Sequence, residues 1–203
     1  MTVLTIATPE ATRKDREFRQ LAEFELRQAD DDALYVEGYA AVFNQPTVLA
    51  ELDGIEYREQ VDPAAFDEAD MSDVIFNYNH GGKVVARTRN NTLELRVDPR
   101  GLFVRARLDG TEEGRRLYEE IKGGYIDRMS FSFTVKESNY DRETHMRTIK
   151  TIKKLYDVSA VDIPAYDTTT LQARSALDFF REQEEALKRE KERRRRLLLL
   201  AKI

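Results

Sequence analysis

The sequence predicts a mainly β (α+β) fold: a barrel-like antiparallel sheet with a few flanking helices and a C-terminal helical tail. Three observations lead there. Short stretches of alternating apolar and polar residues recur from Phe18 to about Pro164, separated by Gly, Pro, Asn and Asp. Helical spacing within that region is confined to brief segments. The residues beyond about Ser175 contain no Gly or Pro and are rich in strong helix formers.

The elements follow in order. The first fifteen or so residues are polar and read as a flexible arm. FRQLAEFEL and ALYVEGYAAVF alternate, and Tyr35, Val36, Tyr39, Val42 and Phe43 have strand character. Asn44 to Pro46 punctuates that run. YREQVDPAAFDEA reads as a short strand, a turn at Asp62–Pro63 and a brief helix. DVIFNYNH is a compact apolar run expected to stop at Gly81–Gly82, which leaves His80 at or near a strand end. TLELRV and GLFVRARL alternate on either side of DPRG, the clearest hairpin in the chain. In EEGRRLYEEIKGG, Leu117 and Ile121 stand one helical turn apart, and Gly123–Gly124 ends the helix. RMSFSFTVKE and RTIKTIKKLYDVSAVDIPA then read as two strands joined by the loop SNYDRETHM. Pro164 limits the second strand, and YDTTTL reads as a loop. The expected organisation is an arm over residues 1–16, one domain over 17–173 and a charged helix over 174–203.

Composition narrows the chemistry. The hydrophobic fraction of 41% in 203 residues is enough for one packed core, and a net charge of −5 gives no general case for nucleic-acid binding. Without cysteine there is no disulfide, no thiol nucleophile and no thiolate-bound zinc. The only histidines are His80 and His145, so a zinc site would depend on carboxylates, whereas catalytic zinc usually takes two or more nitrogen or sulfur ligands. No metal and no cofactor are expected. The opening residues lack the basic-then-apolar order of a secretory signal, and Leu197–Leu200 is too short to span a bilayer, so no membrane is expected.

Nucleophilic chemistry has few candidates. Alternation in MSFSF puts Met129, Phe131 and Phe133 on one face and Ser130 and Ser132 on the other, where the hydroxyls would face solvent or a cleft. An ordinary half-buried strand reads the same way. A serine becomes a nucleophile only beside a base, and histidine titrates in the right range. His145 sits in a loop dense in charge and reads as solvated. His80, between an apolar strand and two glycines, can reach across a cleft, although a structural histidine fits there too. If SNYDRETHM closes a symmetric hairpin, Ser130 falls opposite about Leu155 and Asp157 opposite about Arg128. Asp157 is then near Ser130, unless it merely pairs with Arg128. A bulge would shift this count and flip the faces. Asp162 lies further along the same strand.

Five blocks in order, EQVDPAAF, VIFNYNHGGKVVARTRN, LELRVDPRGLFVRARL, EEIKGGYIDRMSFSF and LYDVSAVDIPAYDTT, resemble the caudovirus prohead (capsid maturation) serine proteases, which are related in fold to the herpesvirus assembly protease. The resemblance covers approximately residues 17–172. It implies His80 as general base, Ser130 as nucleophile and Asp157 at the acidic position. This chain has Ser132 where the family usually has glycine, and aspartate where it usually has glutamate. The implied activity is a serine endopeptidase that cleaves scaffold and major capsid protein segments, and itself, inside the assembling procapsid in the host cytoplasm. Backbone N–H groups, with Arg87 a further candidate, would hold the oxyanion. A self-associated form fits an enzyme that processes its own chain. A catalytically silent scaffold module of the same fold and an unrelated ligand-binding β-barrel are the rival readings.

The tail has ten Lys/Arg against six Asp/Glu over residues 174–203, with acids first and Arg193–Arg196 near the end, an order that suits the helix dipole. It reads as a solvated helical face or as a helix that docks the domain to scaffold, with Leu197–Leu200 available for burial.

Overall fold

The computed structural model describes residues 16–23, 25–28, 33–52, 54–162 and 171–200. Apart from Arg16, the expected arm lies outside the described residues, as do Pro164 and the YDTTTL loop up to Thr170.

Eleven strands are described. They are β1 (Glu17–Glu23), β2 (Glu25–Gln28), β3 (Leu34–Val42), β4 (Thr47–Leu52), β5 (Ile55–Val61), β6 (Ile75–Tyr78), β7 (Gly81–Arg87), β8 (Leu93–Val97), β9 (Gly101–Arg107), β10 (Arg128–Asp141) and β11 (Met146–Val161). The helices are α1 (Glu112–Lys122) and α2 (Leu171–Leu200). Two sheets form rather than a closed barrel. One has the order β2-β3-β9-β8, and the other runs β1-β10-β11-β5-β4 with β6 beside β11 and β7 beside β6. Most pairings are antiparallel, as expected, but β11 pairs parallel with both β5 and β6. β11 is long enough to carry two short strands in succession on one edge: β5 along Met146–Ile149 and β6 along Asp157–Ala160.

Both hairpins read from the sequence are present, β8–β9 across Asp98–Arg100 and β10–β11 across residues 142–145. β4 was not expected, and the brief helix after Pro63 is instead a run of turns over residues 63–68. The apolar run does stop before Gly81–Gly82, with β6 ending at Tyr78, and the glycines begin β7. The glycines follow a two-residue hairpin turn rather than a helix or loop stop. Thr111 caps α1 by accepting from the Gly114 N–H, and Leu117, Tyr118 and Ile121 form its buried stripe.

The main core lies where the inner faces of both sheets meet α1. Val36, Leu102 and Val104 from the smaller sheet join Met129, Phe131, Phe133, Ile152 and Leu155 from the larger one. Phe131 and Phe133 stack at 4.8 Å between ring centroids. Burial of side chains this size is worth about 1.5–3 kcal/mol each, so β10 is fixed in the core by the residues that flank its serines. A second cluster docks α2: Phe179 and Phe180 pack on Tyr57 and Tyr140, and the Tyr57 hydroxyl donates to Glu184. Tyr140 also bonds His145 Nδ1 at 3.0 Å and Tyr57 meets that ring edge-on, so His145 is half-buried beside the rings on which α2 docks rather than fully solvated. Beyond Arg142–Glu190 (3.8 Å), the described side chains of α2 are exposed, including Arg193–Arg196 and Leu197.

β1 is joined to the rest of its sheet by a buried four-charge network. Arg19 forks onto Glu59 and reaches Glu17 at 2.6 Å, and Arg147 donates to Glu17 at 2.6 and 2.8 Å and to Glu59 at 3.0 Å. Arg19, Glu59 and Arg147 are each nearly fully covered. Each guanidinium thus lies between two carboxylates, the arrangement that offsets the desolvation of all four. Burial would raise the Glu17 carboxyl, but Arg19 and Arg147 hold it down from an ordinary 4.5 to about 2.

Arg147→Met, which leaves Glu17 and Glu59 buried beside a single cation, is expected to lower unfolding stability by about 3–5 kcal/mol in urea titration. Because the folded Glu17 value is depressed, its contribution is complete above about pH 4.5 and is lost as pH falls through about 2. Urea midpoints measured across that window should decline toward acid in the parent, and decline less steeply in Arg147→Met.

Candidate active site

β10 presents its serines on one face and its large apolar residues on the other, as the alternation requires. The register that decides what faces them differs from a symmetric count. Ser130 lies opposite Ser159 and Ser132 opposite Asp157, not Ser130 opposite Leu155. The turn is centred slightly later than its midpoint in SNYDRETHM, and bulges between Ser132 and Ser138 add further residues to β11. Arg128 accordingly lies opposite Val161, and its ion pair is with Asp127 at 3.6 Å, so the expected rival pairing with Asp157 does not form. Period two along Asp157-Val158-Ser159 then puts four polar side chains, Ser130, Ser132, Asp157 and Ser159, in one patch. The parallel strand β6 adds Asn77 beside Ser159.

His80 arrives on the turn between β6 and β7. Tyr78 pairs with Gly81, and the two residues between them, Asn79 (φ 48°) and His80 (φ 55°), are both left-handed, as in a type I′ hairpin turn. Asparagine tolerates that region better than most residues, and histidine is enriched there as well. The Asn79 N–H donates to the Ala160 carbonyl at 2.9 Å, and its amide Nδ2 donates to Asp162 at 3.0 Å. The His80 N–H donates to Ser159 Oγ at 3.1 Å. The turn is therefore tied down on β11, and its second side chain is aimed over the serine face.

His80 Nε2 lies 2.7 Å from Ser130 Oγ, and Nδ1 lies 2.5 Å from Asp157 Oδ1. A carboxylate only accepts hydrogen bonds, so Nδ1 carries the ring proton and Nε2 keeps a lone pair directed at the Ser130 hydroxyl. Ser132 does not face the imidazole; its hydroxyl donates to Asp157 Oδ2. Ser159 Oγ lies 3.0 Å from Asp157 Oδ1 and also donates to Asn77 Oδ1. Asp162 is engaged elsewhere, by Asn79 and by the Tyr78 hydroxyl, whose proton it holds more tightly than in free tyrosine.

Of the two surroundings expected for Ser130 and Ser132, solvent or a cleft, open solvent does not apply, since both are fully covered. β1 runs along β10 with Phe18 opposite Ser132, and the Phe18 ring meets the His80 ring edge-on at 4.7 Å. Arg87 is held by Asp73 in a two-point fork at 2.6 and 2.7 Å. Ser159, Asn77 and Phe18 were missed. The pattern Asp157-Val158-Ser159 contained the signal for Ser159, because residues two apart on a strand share a face. Among the described residues, no group of three or more His, Asp or Glu side chains is placed to hold a metal ion, and no helix is long and apolar enough to cross a membrane.

Comparison with known proteins gives one strong match. The sequence model of the family described as caudovirus prohead serine protease matches residues 22–182. A solved structure, that of the bacteriophage T4 capsid assembly protease gp21, is similar with a TM-score of 0.48 and 13% identity, over 72% of this chain and 98% of that one. No curated protein matches the chain.

The turn that carries His80 can be tested through Asn79. Asn79→Ala removes the bond to Asp162 and leaves a β-carbon in a left-handed conformation, so a loss of about 1–2 kcal/mol is expected in urea unfolding. Asn79→Gly should recover the backbone part of that loss.

Proposed function

This chain belongs to the caudovirus prohead serine protease family, and from that premise we propose that it is a serine endopeptidase with Ser130 as nucleophile, His80 as general base and Asp157 as the residue that orients His80. One observation carries the assignment: a single imidazole bridges Ser130 Oγ and Asp157 Oδ1 through its two different nitrogens. The same geometry favours Ser130 over Ser132 as nucleophile and Asp157 over Asp162 as the third member.

The reaction follows from that bridge. Ser130 Oγ attacks the scissile carbonyl carbon as its proton passes to His80 Nε2, and the imidazolium so formed is stabilised by Asp157. The tetrahedral adduct collapses with cleavage of the C–N bond, and Nε2 returns the proton to the departing amine. Water then attacks the acyl–Ser130 ester, giving its proton to Nε2, and the proton passes back to Ser130 Oγ as the acid product leaves. Backbone N–H groups are the proposed oxyanion donors, and Arg87, the other candidate, is paired with Asp73.

The substrates proposed are segments of phage scaffold and major capsid protein, and the chain itself, cleaved inside the assembling procapsid in the host cell. α2 supports a docking role for the tail, with Phe179 and Phe180 packed on the domain and its basic residues Arg193–Arg196 exposed. Membership of a protease family displaces the reading of an unrelated ligand-binding barrel. A catalytically silent assembly module is the second reading, and one observation favours it: Ser130 is fully covered, so a peptide reaches it only after its surroundings move.

Purified parent protein should shorten itself over time and cleave added scaffold protein, as read by gel and intact mass, while Ser130→Ala and His80→Ala should do neither. Asp157→Asn should slow cleavage by about 10³–10⁴-fold, by analogy with other serine–histidine–aspartate enzymes. A parent that never cleaves, or a Ser130→Ala variant that cleaves like the parent, supports the silent module instead.

A further inference from the structure

Asp157 has two carboxylate oxygens, and only Oδ1 meets His80. Rotation about the terminal bond of an aspartate side chain is soft, with broad and nearly equivalent orientations. Nothing intrinsic to Asp157 therefore keeps one oxygen in line with Nδ1. The orientation has to come from what holds the other oxygen. On Oδ2 the bond is the Ser132 hydroxyl, which reaches across the β10–β11 ladder from the position directly opposite. Ser159 does not substitute for it. Its contact with Asp157 is on Oδ1, and its single proton is shared between Asp157 and the closer Asn77 oxygen. Ser132 and Asp157 are both buried, so water does not readily take over a bond that is lost.

We propose that Ser132 is a positioning residue, whose hydroxyl holds Oδ2 of Asp157 and thereby keeps Oδ1 aligned on His80 Nδ1. It touches neither substrate nor the reacting atoms and acts through Asp157. Without the hydroxyl, the carboxylate turns to recover a partner for Oδ2. His80 then loses the carboxylate that stabilises its charged form, and only the neutral Ser159 Oγ, 3.1 Å from Nδ1, remains beside that nitrogen. The inference rests on the acyl-transfer reading above, and its test is arranged so that the two fail differently.

The probe is a small fluorophosphonate that phosphonylates an activated serine, displacing fluoride as the serine proton passes to the general base. It reports on activation of Ser130 without needing a peptide substrate. Ser132→Ala should lower the limiting rate of labelling about ten- to a hundredfold with the half-saturating probe concentration unchanged. Ser132→Thr and Ser132→Val have the same shape and differ only in the hydroxyl. Compared as folded proteins, the Thr variant should label faster than the Val variant by a similar factor. That pair separates the hydroxyl from any effect of crowding at a buried position. A Ser132→Ala variant that labels at the parental limiting rate, or folded Thr and Val variants that label alike, would overturn the positioning role while leaving Ser130 as nucleophile. A parent that neither labels at Ser130 nor cleaves itself or scaffold, with Ser130→Ala as the blank, would overturn the nucleophile itself.

Discussion

The register of the β10–β11 hairpin is the constraint on which the rest of the site depends. Because side chains alternate along a strand, a slip of one residue would carry Asp157 and Ser159 to the opposite face and leave Ser130 without partners. What holds the register is the other side of the same strands. Phe131, Phe133, Leu155 and Val158 are fully buried in the main core, and moving them to the polar face would forfeit several kcal/mol of apolar burial. The bulges between Ser132 and Ser138 set the final alignment. The hydrophobic face thus fixes the position of the polar one.

A buried polar patch is costly unless its bonds are made, at about 1–3 kcal/mol for each group left unsatisfied. Here the groups satisfy one another: Ser130 and Asp157 through His80, Ser132 on Asp157, and Ser159 on Asn77 and the His80 backbone. The left-handed turn at Asn79–His80 adds strain, and the bonds it makes to Ala160, Ser159 and Asp162 compensate for it. The position of that turn depends in its own right on how β6 pairs with β11. The parallel pairing brings the end of β6, and so His80, beside the second half of β11 where Asp157 and Ser159 sit.

The larger sheet has a second polar device of a different kind. The Glu17, Arg19, Glu59 and Arg147 network joins β1 to β5 and β11 across β10. Phe18, between two members of that network, contacts His80. The network therefore fixes the strand that covers one side of the site. The same region accepts α2, since the Arg147 guanidinium lies 4.0 Å from the centre of the Phe179 ring. Charge pairing, coverage of the site and docking of the tail meet on neighbouring residues.

The sequence by itself determined what local patterning can encode. Alternation in MSFSF, the DPRG hairpin, the helix that stops at Gly123–Gly124 and the unbroken terminal helix all follow from side-chain period and turn chemistry within a few residues. Ser130, His80 and Asp157 were legible as a group because ordered motif blocks pointed to them jointly. Counting along the hairpin brought Asp157 near Ser130, but with the wrong partner opposite. Tertiary structure alone decided the rest. Bulges are set by packing on the far face, so local pattern did not reveal that Ser132 faces Asp157 or that Ser159 faces Ser130. Parallel pairing joins residues about eighty positions apart, as Asn77 and Ser159 are, and no periodicity reports such a contact. Gly81–Gly82 looked like the end of a run because glycine marks turns and stops alike. Only the pairing of Tyr78 with Gly81 makes it the start of β7, and makes His80 the residue that the turn delivers to the site.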